Sequence, residues 1–76
     1  MNYGLIKRID EENKAAIKKW GDTDRTPEIL LNAATEELGE VAHAINHKEG
    51  VSAIQQEIVE VMAIFARLYE MVEQEL

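Results

Sequence analysis

Apolar residues recur every three or four positions through almost the whole chain, and the pattern breaks clearly at only two places, residues 21–26 and 48–50. No segment shows the two-residue alternation of a strand. The pattern therefore predicts an all-α fold of three helices. The first helix is predicted over about residues 5–19, with Leu5, Ile9, Ala16 and Trp20 on one stripe and Gly21 as its stop. The second opens at Thr26-Pro27-Glu28: a good N-cap, a proline suited to the first turn, and an acid that complements the positive helix end. Its stripe is Leu30, Ala34, Leu38, Val41 and Ile45, and it is expected to end near Lys48, with Gly50 just beyond. Gly39 lies within it, where close helix packing would justify a glycine. The third helix is predicted from Ser52, with Gln55 completing a capping box, and its stripe is Ile54, Ile58, Val61, Phe65, Leu68 and Val72. Short links make the second and third helices an antiparallel hairpin.

Seventy-six residues leave room for one domain, read as residues 1–76. A chain of about 60 residues buries only about 60% of its unfolded surface, and small proteins compensate with disulfides, metals or self-association. Cysteine is absent, which removes disulfides and thiolate metal sites. Self-association is the remaining expectation: two hairpins completing a four-helix-type bundle, with the first helices alongside. The net charge of −7 argues against coating nucleic acid or an anionic membrane surface. No apolar run approaches the roughly 20 residues that span a bilayer. Met1-Asn2-Tyr3-Gly4 has neither the basic region nor the apolar stretch of a signal peptide, so the expected location is the cytoplasm. The charge is uneven, +1 over residues 1–25 and −8 over residues 26–76.

The acids of that second part break the amphipathic pattern. At about 100° per residue, Glu37 falls inside the second helix's apolar arc, about 20° from Leu30, with Glu40 and Glu36 on the same side at about 80° and 120°. On the third helix Glu57 and Glu60 lie about 60° and 120° from Ile54. An antiparallel pairing sets four or five carboxylates beside each other. Clustered like charges at an apolar rim are costly unless protons or cations neutralise them. An all-oxygen ligand set points to Mg²⁺ or Mn²⁺. The pairs Glu37/Glu40 and Glu57/Glu60 each have i, i+3 spacing, so both members can reach one ion.

Glu36-Glu37-Leu38-Gly39-Glu40-Val41-Ala42 and Glu57-Ile58-Val59-Glu60-Val61, with 16 residues between Glu40 and Glu57, resemble the E-E-x-x-E…E-x-x-D signature of the MazG-like all-α nucleoside triphosphate pyrophosphatase superfamily. Lys19-Trp20-Gly21 and Thr26-Pro27-Glu28 resemble the same family, and the likeness covers about residues 10–72. The resemblance implies a helical protomer that forms a homodimer or dimer of dimers. It implies Mg²⁺-dependent hydrolysis of an NTP or dNTP substrate to the monophosphate and pyrophosphate. Glu37, Glu40, Glu57 and Glu60 match the metal ligands, and Glu36 matches the first acid of the motif, a further ligand or a residue behind the ligands; Glu36 and Glu37 are the candidate catalytic acids. The last ligand position, usually Asp, is Glu60 here. Its extra methylene and the short C-terminus motivate an alternative: a catalytically impaired helical dimer that binds nucleotide or a partner protein.

Four further residues are candidate substrate contacts. Trp20 offers a face for base stacking, and Asn13 offers both donors and an acceptor within the first helix's apolar arc. Arg67 and Lys19 are candidates for phosphate, Arg67 alternatively for an ion pair with Glu60 or Glu70. His43 and His47 have i, i+4 spacing, which suits zinc, but no third ligand is evident in the sequence.

Overall fold

The computed structural model describes residues 2–21 and 25–75, leaving the side chains of Trp20 and Glu75 outside the description. It contains three helices, α1 (Tyr3–Trp20), α2 (Pro27–Asn46) and α3 (Val51–Glu75), and no strand among the described residues. Each boundary has a local cause. Asn2 caps α1, its Oδ1 accepting from Gly4 N at 2.7 Å and Leu5 N at 3.2 Å. That cap starts the helix two residues earlier than the apolar stripe does. Thr26 Oγ1 accepts from Ile29 N at 3.2 Å, and Pro27 takes the first turn of α2 as expected.

The end of α2 differs from the expectation. The left-handed residue is Lys48, at φ 53°, rather than a glycine. Lys48 N donates to Ile45 O at 3.2 Å and Glu49 N to Ala44 O at 3.0 Å, the paired bonds of a Schellman motif. Gly50, at φ 106°, serves the next helix instead, its carbonyl accepting from Ile54 N at 3.1 Å. Helix α3 therefore begins at Val51. Ser52 lies within its first turn, so the expected Ser52/Gln55 capping box is not the helix start.

Helix α3 is the centre of the protomer. It packs against both α2 and α1, whereas α1 and α2 make no backbone contact with each other. Arg8 bonds to Gln56 and Asn13 to Arg67, so α1 runs parallel to α3 and α2 antiparallel to it. The fully buried residues are Leu30, Ala34, Ala44, Val59, Ala63 and Ile64. Half of them are alanines, and this is a thin core for three helices.

The expected stripes divide in two. Leu30 and Ala34 are buried, but Leu38 and Ile45 on α2 are exposed, as are Ile58 and Phe65 on α3. Within the protomer α3 buries Val59, Ala63 and Ile64 instead. The exposed residues are regular. Leu31, Leu38 and Ile45 recur every seven residues on α2, and Val51, Ile58 and Phe65 do so on α3, each between 38% and 72% exposed. Counted outward from the turn, the two sets fall at the same three levels of the hairpin. Seven-residue spacing is the repeat of helices that pack on further helices. Gly39 sits on this open side: a Cβ there would meet nothing within 4 Å, so close packing inside the protomer does not account for it.

Candidate functional site

Because α1 and α2 splay apart over α3, a cavity of about 560 Å³ opens between them, a volume typical of small-molecule sites. Ala15, Ala16, Ala33 and Ala63 line it, and their small side chains leave the space open. Its polar walls are of two kinds. Glu12, Glu37 and Glu60 supply carboxylates, and Lys19, Arg25 and Arg67 supply cations.

Apart from Glu12 on α1, the carboxylate wall belongs to the hairpin. Glu37 from α2 and Glu57 and Glu60 from α3 bring one oxygen each to within 4.8 Å of one another, and all three are half-buried. The three come together because Glu57 and Glu60 are one turn apart on α3 and the antiparallel register sets Glu37 across from them. Glu40 is exposed but close enough for its charge to act on Glu57. Glu36 is exposed and stands outside the three-way convergence.

The electrostatics show what this proximity costs. Burial, and after it the hydrogen bond and charge of Glu60, push Glu37 from its ordinary 4.5 up to about 7. Glu57 is raised as well, first by burial and then by Glu60, with Glu40 adding to it. Glu37 and Glu57 therefore hold their protons more tightly than isolated carboxyls do. The linkage sign follows. The folded state holds a proton on Glu37 between pH 4.5 and about 7, where the unfolded chain has released it. In the absence of divalent cations the melting temperature is therefore expected to rise as pH falls from about 8 to 5. Thermal melts in EDTA across this range check the sign; a melting temperature that drops steadily from pH 8 to 5 contradicts the raised proton affinity of Glu37.

A hydrogen-bonded strut supports Glu60. Arg8 Nη2 on α1 donates to Gln56 Oε1 at 2.7 Å. That bond turns the amide so that Gln56 Nε2 donates to Glu60 Oε1 and to Glu12 Oε2, both at 3.3 Å. Gln56 and Arg8 did not stand out in the sequence. The available signal was the i, i+4 spacing of Gln56 to Glu60 on α3 and of Arg8 to Glu12 on α1.

On the cationic wall, Arg67 is half-buried and its Nη1 donates to Asn13 Oδ1. This contact takes the place of the ion pair with Glu60 or Glu70 that the sequence offers. Burial lowers the proton affinity of Arg67, the neighbouring charge of Arg25 lowers it further, and Glu12 opposes both. Lys19 lines the same cavity. The proposed stacking face of Trp20 lies outside the described residues.

The two histidines stack at the end of α2, ring centroids 4.0 Å apart. His47 Nδ1 donates to the His43 carbonyl at 2.9 Å, and His43 Nε2 lies 3.4 Å from Glu49 Oε2. They form no three-ligand group of the kind the carboxylates make. Among the described residues no helix is long and apolar enough to cross a membrane. Comparison with family models, curated proteins and solved structures gives no match for this chain.

Proposed function

We propose that the chain is a Mg²⁺-dependent nucleoside triphosphate pyrophosphohydrolase of the MazG-like kind, acting as a homodimer. The observation that carries this reading is the convergence of Glu37, Glu57 and Glu60 at the edge of a cavity whose other wall is cationic. The donor set fits a hard divalent ion, since every ligand atom is a carboxylate oxygen and no thiolate or imidazole intrudes. Glu37, Glu57 and Glu60 would hold Mg²⁺, with Glu40 beside them. When bound, Mg²⁺ offsets the charge of the phosphate oxygens and acidifies a coordinated water.

The chain's own residues supply the remainder. Glu60 is held by Gln56 so that its reach toward Glu37 and Glu57 is set before any ligand arrives. Glu36, exposed beside Glu37, is the carboxylate left uncommitted to take a proton from the water that attacks the α-phosphorus. The alanine-lined space accommodates the nucleotide, and the cationic side chains face its phosphates. The net charge of −7 opposes a polyanion, so cation and basic side chains are both needed for binding.

Support for the dimer comes from the two exposed heptad stripes, which a second hairpin would cover in a four-helix arrangement. The reading is tested with a panel of NTPs and dNTPs in Mg²⁺, measuring pyrophosphate against orthophosphate. Pyrophosphate in step with nucleoside monophosphate is expected. Orthophosphate release rejects the reaction assigned, and no turnover of any nucleotide leaves a nucleotide-binding dimer as the function.

A further inference from the structure

We propose that docking of α1 on α3 and the affinity of the carboxylate site for a divalent cation are coupled, with Gln56 as the positioning residue that joins them. The inference rests on the cation-binding reading above and adds to it a way in which the site is controlled.

Helix α1 is the weakly held element of the protomer. Among the described residues none of α1 is fully buried, whereas α2 and α3 supply every fully buried residue. The half-buried residues of α1 are Leu5, Arg8, Ile9, Glu12, Asn13 and Ala16, and three of these six are polar. With so little apolar area buried, α1 can release from α3 without unfolding the hairpin. It is therefore an element with two states, docked and released, that a ligand can bias.

The polar part of its inner face ends on the carboxylate site. Arg8 donates to Gln56 Oε1, and Glu12 Oε2 accepts from Gln56 Nε2. Both residues belong to α1, and they grip opposite ends of one amide. The remaining N–H of Nε2 serves Glu60 Oε1. The reversed amide would turn its oxygen toward two carboxylates, so the grip fixes one orientation. With α1 docked, Glu60 is held where its carboxylate meets those of Glu37 and Glu57. With α1 released, Gln56 turns freely and Glu60 has to be ordered as the cation binds. Ordering the ligand beforehand removes that cost, so the docked state binds the cation more tightly. Linkage is reciprocal: a cation in the site favours the docked state of α1 by the same factor.

Positioning and charge make opposite predictions for Arg8. Its guanidinium is a positive charge near the site, so by electrostatics alone its removal tightens cation binding. By the clamp, its removal weakens it.

Mg²⁺ titration calorimetry and hydrogen exchange of the full chain test the coupling. Mg²⁺ is expected to slow amide exchange in α1 of the wild type. Gln56→Met should weaken Mg²⁺ binding about tenfold or more, the usual cost of losing an outer-shell partner, and should abolish the slowing in α1. Arg8→Met should weaken binding about threefold or more, although the bond it removes is to Gln56 and not to a carboxylate. Arg8→Lys, which can still donate to the amide oxygen, should restore part of the loss. Circular dichroism establishes that each variant is folded, and the arginine pair carries the test if Gln56→Met is not. Unchanged or tighter Mg²⁺ binding in folded Arg8→Met overturns the coupling, as does α1 exchange in the wild type that ignores Mg²⁺. If Mg²⁺ binding is nonetheless lost in Glu37→Gln, the cation site stands without it. Slowing of α1 that persists in Gln56→Met overturns the role of Gln56. A wild type that binds no Mg²⁺ overturns the cation reading and the coupling with it.

Discussion

Glu37→Gln and Glu57→Gln are expected to release pyrophosphate about a hundredfold more slowly than wild type, or slower still. Loss of even an outer-shell partner costs about 10–100-fold at a metal site, and in the proposed site these residues would supply the ligand oxygens themselves. The same variants should lose the Mg²⁺-dependent rise in melting temperature. At a free Mg²⁺ concentration of one hundred times Kd that rise corresponds to about 2.7 kcal/mol, on the order of 10 °C or more for a domain of this size. The metal-free Glu37→Gln protein should melt above wild type at pH 8, because the substitution removes a charge that burial and Glu60 oppose. Turnover and Mg²⁺ response both unchanged in the two variants would mean that the metal lies elsewhere.

Glu60 sharpens this test. Glu60→Gln should abolish most turnover, since a neutral amide is a poor ligand for a hard cation. Glu60→Asp restores the residue of the MazG-like signature but withdraws the carboxylate by about 1.5 Å. Glu60 already reaches Glu37 and Glu57 and is held by Gln56 at 3.3 Å. The shorter chain loses that fit, so a fall in activity is the expected result. A gain would show that the longer side chain is a compromise in an otherwise standard site.

The second large effect concerns assembly. Sedimentation at micromolar concentration should show a dimer or larger and no folded 8.6 kDa species. Leu38→Glu combined with Leu31→Glu should yield monomers with much reduced helicity. Both residues are more than half exposed in the single chain (58% and 51%), so an isolated folded chain would tolerate the changes within about ±0.5 kcal/mol each. A large loss therefore reports a partner, not the protomer's own packing. A compact monomeric wild type, or a double variant that melts like it at every concentration, contradicts the dimer.

The three helices, their hairpin order and the approach of Glu37 to Glu57 and Glu60 were legible in the sequence. Period-3.6 patterning and chain punctuation are local properties. So is the i, i+3 spacing of Glu57 and Glu60, which needs nothing but helical geometry to share a face. Gly21 and Thr26-Pro27 likewise acted through their own backbone. Where a boundary differed from the expectation, another local residue decided it. Asn2 extended α1, Lys48 took the left-handed position expected of a glycine, and Gly50 opened α3 instead of closing α2.

The burial of each stripe was decided only in three dimensions. A helical wheel sums all apolar residues into one direction, but α3 serves α1, α2 and an open side at once. Its Val59, Ala63 and Ile64 therefore went inside while Ile58 and Phe65 stayed out. The cavity, the Arg8–Gln56–Glu60 strut and the approach of Arg67 to Asn13 join residues 44 to 54 positions apart. No spacing rule links such residues. Only the parallel packing of α1 on α3, with α2 held away from α1, brings them together.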